Sequence, residues 1–185
     1  ERHAYAFTVP EPGAMELDAR TVVQATLETI AGTADHVRGT DPVQALAFSS
    51  QGEAFTPVDG GGKSLCPAMI SGDSRASADI AEFAEAFGRE RLYRITGHTP
   101  SGMFTLAKLL WMRKKRPEIV RRAVKFLCFE DLLVAALGAE PAMGHSLAAR
   151  TMLFDVRRGA WSGEILSAAG FSEDGLARPQ PSGTD

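Results

Sequence analysis

An α/β or α+β domain, a mixed sheet flanked by helices, is what the sequence predicts, on three observations. Short apolar runs bounded by Pro, Gly, Asp and Ser fill the stretch up to Ile70. From Ser74 onward apolar residues recur at helical spacing instead. The length, 185 residues, suits one domain.

Taken in order, Ala4–Val9 (AYAFTV) reads as a strand that stops at Pro10, with Glu11-Pro12-Gly13 as a turn. Asp18 is placed to cap a helix whose Val22, Val23, Thr26, Leu27 and Ile30 share one face, with Gly32 as its stop. Val43–Phe48 (VQALAF) reads as a second strand between Asp41-Pro42 and Ser49-Ser50. Ala54–Val58 and Leu65–Ile70 flank Asp59-Gly60-Gly61-Gly62-Lys63, which predicts a hairpin with a glycine-rich turn. These four runs are expected to share one sheet. Helices follow at Ala78–Phe87, at Phe104–Arg116 with a basic last turn, and at Pro117, where proline suits a first turn. Val124–Phe129 reads as a strand leading into a helix over Glu130–Leu137, and Ser162 caps a helix to Ala169. Residues 172–185, rich in Gly, Pro and Ser, predict a linker or tail after a domain of residues 1–171.

Composition excludes several classes. Lys and Arg total 20 against 23 Asp and Glu, a formal net charge of −3. That balance argues against nucleic acid or an anionic membrane as main partner. No apolar run reaches the roughly 18 residues that span a bilayer. Cys66 and Cys128 make one pair at most, and both sit in apolar surroundings that suit buried free thiols. With no leader-like start, a reducing cytoplasm is the expected compartment. The chain opens at Glu1 without an initiator Met, inside an apolar run, as a processed chain or an excised piece does.

Two motifs are weighed and set aside. Gly60-Gly61-Gly62-Lys63-Ser64 imitates a phosphate loop, but Pro57 stands where the first Gly belongs and Leu65-Cys66-Pro67 cannot open the required helix. A hairpin turn is the better reading. Gly144-His145-Ser146-Leu147-Ala148 imitates a nucleophile elbow, yet Ala139-Glu140-Pro141 precedes it and Ala148 replaces the second Gly. A serine acyl-transfer enzyme built on Ser146 is the first rival reading. The histidines and cysteines show no metal-ligand spacing, so no metal ligand is expected. Arg113–Arg116 reads as a solvated helix end, with no aromatic platform interleaved.

The polar clusters at strand ends carry more. Ser49-Ser50-Gln51-Gly52-Glu53 follows an apolar strand, where α/β proteins place ligand loops. Gln51 offers donor and acceptor and Glu53 a charged acceptor, a combination suited to sugar or polyol hydroxyls. Ser71-Gly72-Asp73-Ser74-Arg75 is a second such cluster, where Asp73 serves either as a cap paired with Arg75 or as a ligand group.

At these clusters the chain resembles the N-terminal domain of the FGGY carbohydrate kinases. The likeness runs through Gln51-Gly52-Glu53, Asp59-Gly60, Pro67–Ile70, Asp73-Ser74-Arg75, Thr96-Gly97, Phe104–Trp111, Pro117–Ile119, Phe129–Leu132, Ala149–Asp155 and Trp161-Ser162. It implies a ribonuclease-H-like, actin-like ATPase fold and transfer of the ATP γ-phosphoryl group to a sugar or polyol hydroxyl. In glycerol-kinase-like members an Arg-Glu pair in this loop holds the polyol. Here Gln51 and Glu53 keep two positions of that motif, and Gly52 stands where the Arg would be. Xylulokinase-like members carry Met-His there, so the chain matches neither subgroup. Ser71 falls where the family often has Trp, and His145 where a polyol-lining Tyr would be.

The resemblance thus implies substrate-binding roles for Gln51, Gly52, Glu53, Asp73, Arg75 and His145. It places the family's phosphate loop before Glu1 and the general-base Asp after Asp185, so no catalytic base is expected in the chain, which alone should be inactive. ATP and Mg²⁺ are the implied cofactors of the whole protein, a sugar or polyol its partner, and a homodimer an admissible assembly. A non-catalytic binding protein that kept the kinase fold is the second rival.

Overall fold

The computed structural model describes residues 2–184. Its main sheet has four strands: β1 (Glu16–Leu17), β2 (Phe55–Val58), β3 (Ala68–Met69) and β4 (Lys125–Cys128), in the order β1-β3-β2-β4. Every pair in it is antiparallel, and Phe55 lies opposite both Met69 and Cys128. β2 is buried along its whole length: Phe55 and Val58 join the apolar core, and the Thr56 hydroxyl donates to the Cys66 carbonyl at 2.9 Å.

Helix α1 (Ala19–Val37) starts at Asp18, whose carboxylate accepts from the Arg20 N–H at 3.0 Å. It runs past Gly32, the expected stop. A lone glycine inside a helix costs only about 1 kcal/mol, too little to end one that continues into favourable residues. After β3 come α2 (Ser77–Phe87), α3 (Arg89–Thr96), α4 (Thr105–Lys115), α5 (Pro117–Arg122) and, beyond β4, α6 (Phe129–Ala136). α3 was not foreseen; the spacing of its buried Leu92 and Thr96 is too short a signal. α4 is the central helix, with Thr105–Leu110 and Met112 all buried and with α2 and α5 packed against it. Small pairs complete the domain: β5 (Ala142–Gly144) with β8 (Arg178–Gln180), and β6 (Phe154–Asp155) with β7 (Ala160–Trp161), around α7 (His145–Ala149) and α8 (Gly163–Ala169). Ser162 caps α8 through the Ile165 N–H. Among the described residues no helix is long and apolar enough to cross a membrane.

Two expected strands do not form. Ala4–Val9 contributes a single bridge, Thr8 to Glu16, and Val43–Phe48 joins no strand among the described residues. Tyr5, Phe7, Val9, Val43 and Leu46 are all exposed. An apolar run becomes a strand only where a neighbouring edge accepts its backbone, and the sheet's edge strand β1 offers Thr8 alone. The hairpin Ala54–Val58 to Leu65–Ile70 does form, and its Val124–Phe129 neighbour completes the sheet.

The expected tail is also shorter. Leu176 and Ala177 are buried, the Trp161 indole donates to the Ala177 carbonyl at 2.9 Å, and β8 pairs in parallel with β5. These contacts order the chain through Gln180. Asp185, the end of the expected tail, lies outside the described residues.

Candidate functional site

The strand ends of the main sheet converge on one residue. Glu53 lies two positions before β2, is 4% exposed, and its carboxylate receives the Ser71 hydroxyl at 3.0 Å. Ser71 follows β3, so the β2–β3 pairing itself brings the two expected polar clusters together. The Ser71 hydroxyl also lies 3.5 Å from the Gln51 side-chain oxygen. The other Glu53 oxygen pairs with the Arg150 guanidinium, which enters from the residue after α7, 97 positions along the chain.

Gly52 explains how Arg150 gets there. A Cβ at position 52 would lie 2.7 Å from Arg150 Cβ and 2.9 Å from its Cγ. A larger residue at 52 would therefore force the Arg150 side chain to shift. Arg150 also lies over the Phe104 ring, its Cζ 5.2 Å from the centroid.

Beneath this cluster sits a buried polar layer. Lys108, on α4, is fully buried; its ammonium donates to the Glu53 carbonyl at 2.9 Å and approaches the Met69 carbonyl at 3.5 Å. Thr105 donates to the same Glu53 carbonyl at 3.3 Å, and the Cys128 thiol to the Gly52 carbonyl at 3.8 Å. Burial pushes the Lys108 ammonium down to about 8, against the opposing influence of Cys128 and Asp73. The same burial holds the Cys128 thiol and the Asp131 carboxyl well above their ordinary ranges. Asp131 accepts the Cys128 N–H at 3.1 Å and so fixes the end of β4. Three hydrogen bonds, from Lys108, Thr105 and Cys128, thus hold the main-chain oxygens of residues 52–53 from below.

Asp73 and Arg75 form a different unit. Asp73 is 1% exposed and accepts from Met15 N–H at 3.0 Å, from Arg75 N–H at 3.1 Å and from the Arg75 guanidinium at 2.7 Å. Arg75 bonds Glu16 at 2.7 Å as well and lies over Trp111. Burial works against its charge, but the hydrogen bonds it donates to Asp73 and Glu16 outweigh that and raise its pKa. Both oxygens of Asp73 are engaged by protein, by the Met15 and Arg75 N–H groups and the Arg75 guanidinium, which is the paired capping arrangement that its sequence also offered. His145 begins α7 with its ring 5.1 Å from that of Phe154; among the described residues it makes no hydrogen bond to the Glu53 cluster.

The glycine-rich turn holds no phosphate cradle. The Asp59 carboxylate accepts the N–H groups of Gly61 and Lys63, each at 3.0 Å, so the donors that would face an anion are already bonded. Ser146 does follow a strand, β5, contrary to the expectation from Ala139-Glu140-Pro141, but among the described residues no imidazole bonds its hydroxyl.

Of the residues that build the cluster, the sequence reading named Gln51, Gly52 and Glu53. It missed Arg150, Lys108 and Thr105, and named Ser71 within the second polar cluster and as a departure from the family pattern, without a binding role. Lys108 did carry a signal, a lone charge inside the apolar run Phe104–Trp111.

The comparisons agree with this architecture. The model of the FGGY family of carbohydrate kinases, N-terminal domain, matches residues 1–184. A xylulose kinase of Escherichia coli is 32% identical over 89% of this chain and 34% of that protein. An autoinducer-2 kinase of Klebsiella pneumoniae is 30% identical over 94% of this chain and 33% of that protein. The chain thus spans about a third of the length of the curated relatives it matches. Among solved structures, a ligand-bound xylulose kinase from Lactobacillus acidophilus superposes with a TM-score of 0.87 at 21% identity, covering 96% of this chain and 36% of that one. A Plasmodium falciparum glycerol kinase with ADP gives 0.86 at 19% identity, covering 95% and 37%. These two likenesses concern the fold, which is the actin-like fold expected from the sequence.

Proposed function

The chain belongs to the FGGY family of carbohydrate kinases, as its N-terminal domain, and from that premise we propose that it is the sugar-binding part of an ATP-dependent kinase. The whole protein transfers the γ-phosphoryl group of ATP to a hydroxyl of a sugar or polyol. The observation that carries this reading is the buried Glu53 carboxylate, which accepts from the Ser71 hydroxyl and the Arg150 guanidinium, with the Gln51 side-chain oxygen near Ser71 and Lys108 holding the Glu53 main-chain carbonyl from below. A sugar hydroxyl both donates and accepts; this set supplies a charged acceptor and charged and neutral donors within one cluster.

The described residues offer no site that fits ATP or Mg²⁺. The one glycine-rich turn has its amides bonded to Asp59. Among the described residues no three His, Cys, Asp or Glu side chains are grouped to hold a metal ion. The proposal therefore derives no phosphoryl-transfer step from these residues and confines their role to binding and orienting the acceptor. It also places the enzyme in the cytoplasm, a setting in which thiols such as Cys66 and Cys128 stay free. Measuring ADP release by the whole protein with D-xylulose, D-gluconate and glycerol as acceptors tests the reading. Acceptor-dependent ADP release from one of them is expected, and no release with any of the three overturns it.

A further inference from the structure

Glu53 and Arg150 differ in how far they reach solvent: the carboxylate side chain is 6% exposed and the arginine side chain 38%. Among the described residues Glu53 is the only hydrogen-bond partner of the Arg150 guanidinium. A guanidinium carries more N–H donors than one carboxylate contact uses. The side chain that carries them is partly open, its Cζ lies over the Phe104 ring, and its Cβ and Cγ pack where a side chain at position 52 would stand. The result is a recessed acceptor with a more exposed donor beside it. Two hydroxyls on neighbouring carbons match that arrangement, one donating to Glu53 and the other accepting from Arg150.

Charge decides the class of ligand. Glu53 and Arg150 sum to zero, Lys108 is engaged by main-chain oxygens underneath, and Asp73 is neutralised by Arg75. A neutral polyhydroxy ligand leaves the pair intact. A ligand carboxylate would compete with Glu53 for the same guanidinium while facing Glu53's own negative charge.

Building on the kinase reading above, we propose that Arg150 is a substrate-binding, specificity-determining residue which, with Glu53, reads adjacent hydroxyls of a neutral sugar or polyol and selects against sugar acids.

The test measures kcat/KM of the whole protein for D-xylulose, glycerol and D-gluconate, and then for mono-deoxy analogues of the better neutral acceptor. A neutral acceptor should be preferred to D-gluconate by at least about tenfold. Arg150→Met should lower kcat/KM for that acceptor by about 10- to 150-fold, the range of one charged hydrogen bond, mainly through KM. Arg150→Lys should recover part of the loss, and it carries the test if melting shows that Arg150→Met does not fold. The decisive readout is a cycle between enzyme and substrate: the Arg150→Met loss and the loss of one particular hydroxyl should be non-additive, and the other hydroxyls additive. Additivity at every hydroxyl means that Arg150 only orders Glu53, and overturns the proposal. A preference for D-gluconate overturns it too. Activity on a neutral acceptor that both variants leave unchanged removes Arg150 and spares the kinase reading; no activity with any acceptor removes both.

Discussion

The ammonium of Lys108 donates to the main-chain oxygen of Glu53 at 2.9 Å from inside the core, so the residue that presents the site's carboxylate also receives the domain's buried cation. The two functions are joined through one peptide unit, and disturbing either side reaches the other.

Lys108 should leave a pH signature in stability. Its folded-state pKa is lowered from 10.5 to about 8 because burial disfavours the charge. Between those values the unfolded chain binds the proton and the folded one does not, so stability rises with pH there, by up to about 1.4 kcal/mol per unit. Below pH 8 the cost of the buried charge is fully present. Denaturant titrations from pH 7 to 10 should show wild type gaining on Lys108→Met across this window; parallel curves would mean that the ammonium is not desolvated in solution.

Glu53→Ala should reduce kcat/KM for the sugar by roughly 10–150-fold in the whole protein, since a charged hydrogen bond is worth about 1.5–3 kcal/mol. The KM for ATP should hardly move. If instead the melting temperature falls while sugar kinetics stay normal, Glu53 orders its loop and binds nothing.

Gly52→Ala should destabilise the domain by about 1–3 kcal/mol, the usual cost of overpacking, because the new methyl meets Arg150 at 2.7 Å. Placing Arg150→Gly in the same chain should return part of that loss. Urea unfolding of the four-member cycle measures the coupling, and a coupling near zero would show that the two residues do not share space.

Asp73→Asn should cost about 3 kcal/mol of stability by leaving the buried Arg75 short of its main partner. The KM for sugar should stay close to wild type. An increased KM at unchanged stability would return Asp73 to the binding site.

How much of this was legible depends on where the determining contact lies. The hairpin around Asp59 was readable because its turn chemistry is local: Asp59 bonds its own Gly61 and Lys63. The caps at Asp18 and Ser162 were readable for the same reason. Ala4–Val9 and Val43–Phe48 were misread because alternation and apolarity report what a strand needs, not whether a partner edge is there. Glu53 was singled out as an acid after a strand at Val43–Phe48, but that strand does not form and Glu53 stands two positions before β2 instead. Arg150 was not legible, because nothing within its own segment says that it will cross a glycine on another loop. Asp73 and Arg75 were correctly seen as polar and paired, but the buried competition for Asp73's oxygens, from Met15 and from the arginine itself, exists only in three dimensions.

The reach between Glu53 and Arg150 also sets an order of events. Ser71 is 18 residues from Glu53 and joins it as soon as the β2–β3 hairpin closes, a local and fast step. The Cys128 contact to Gly52 bridges 76 residues and the Arg150 contact to Glu53 bridges 97, loops whose closure must wait for the intervening helices to collapse. The Ser71 contact to the carboxylate is thus local in sequence, and the Arg150 contact is not: completing the candidate site requires that α7 be docked onto the sheet as well as the hairpin closed.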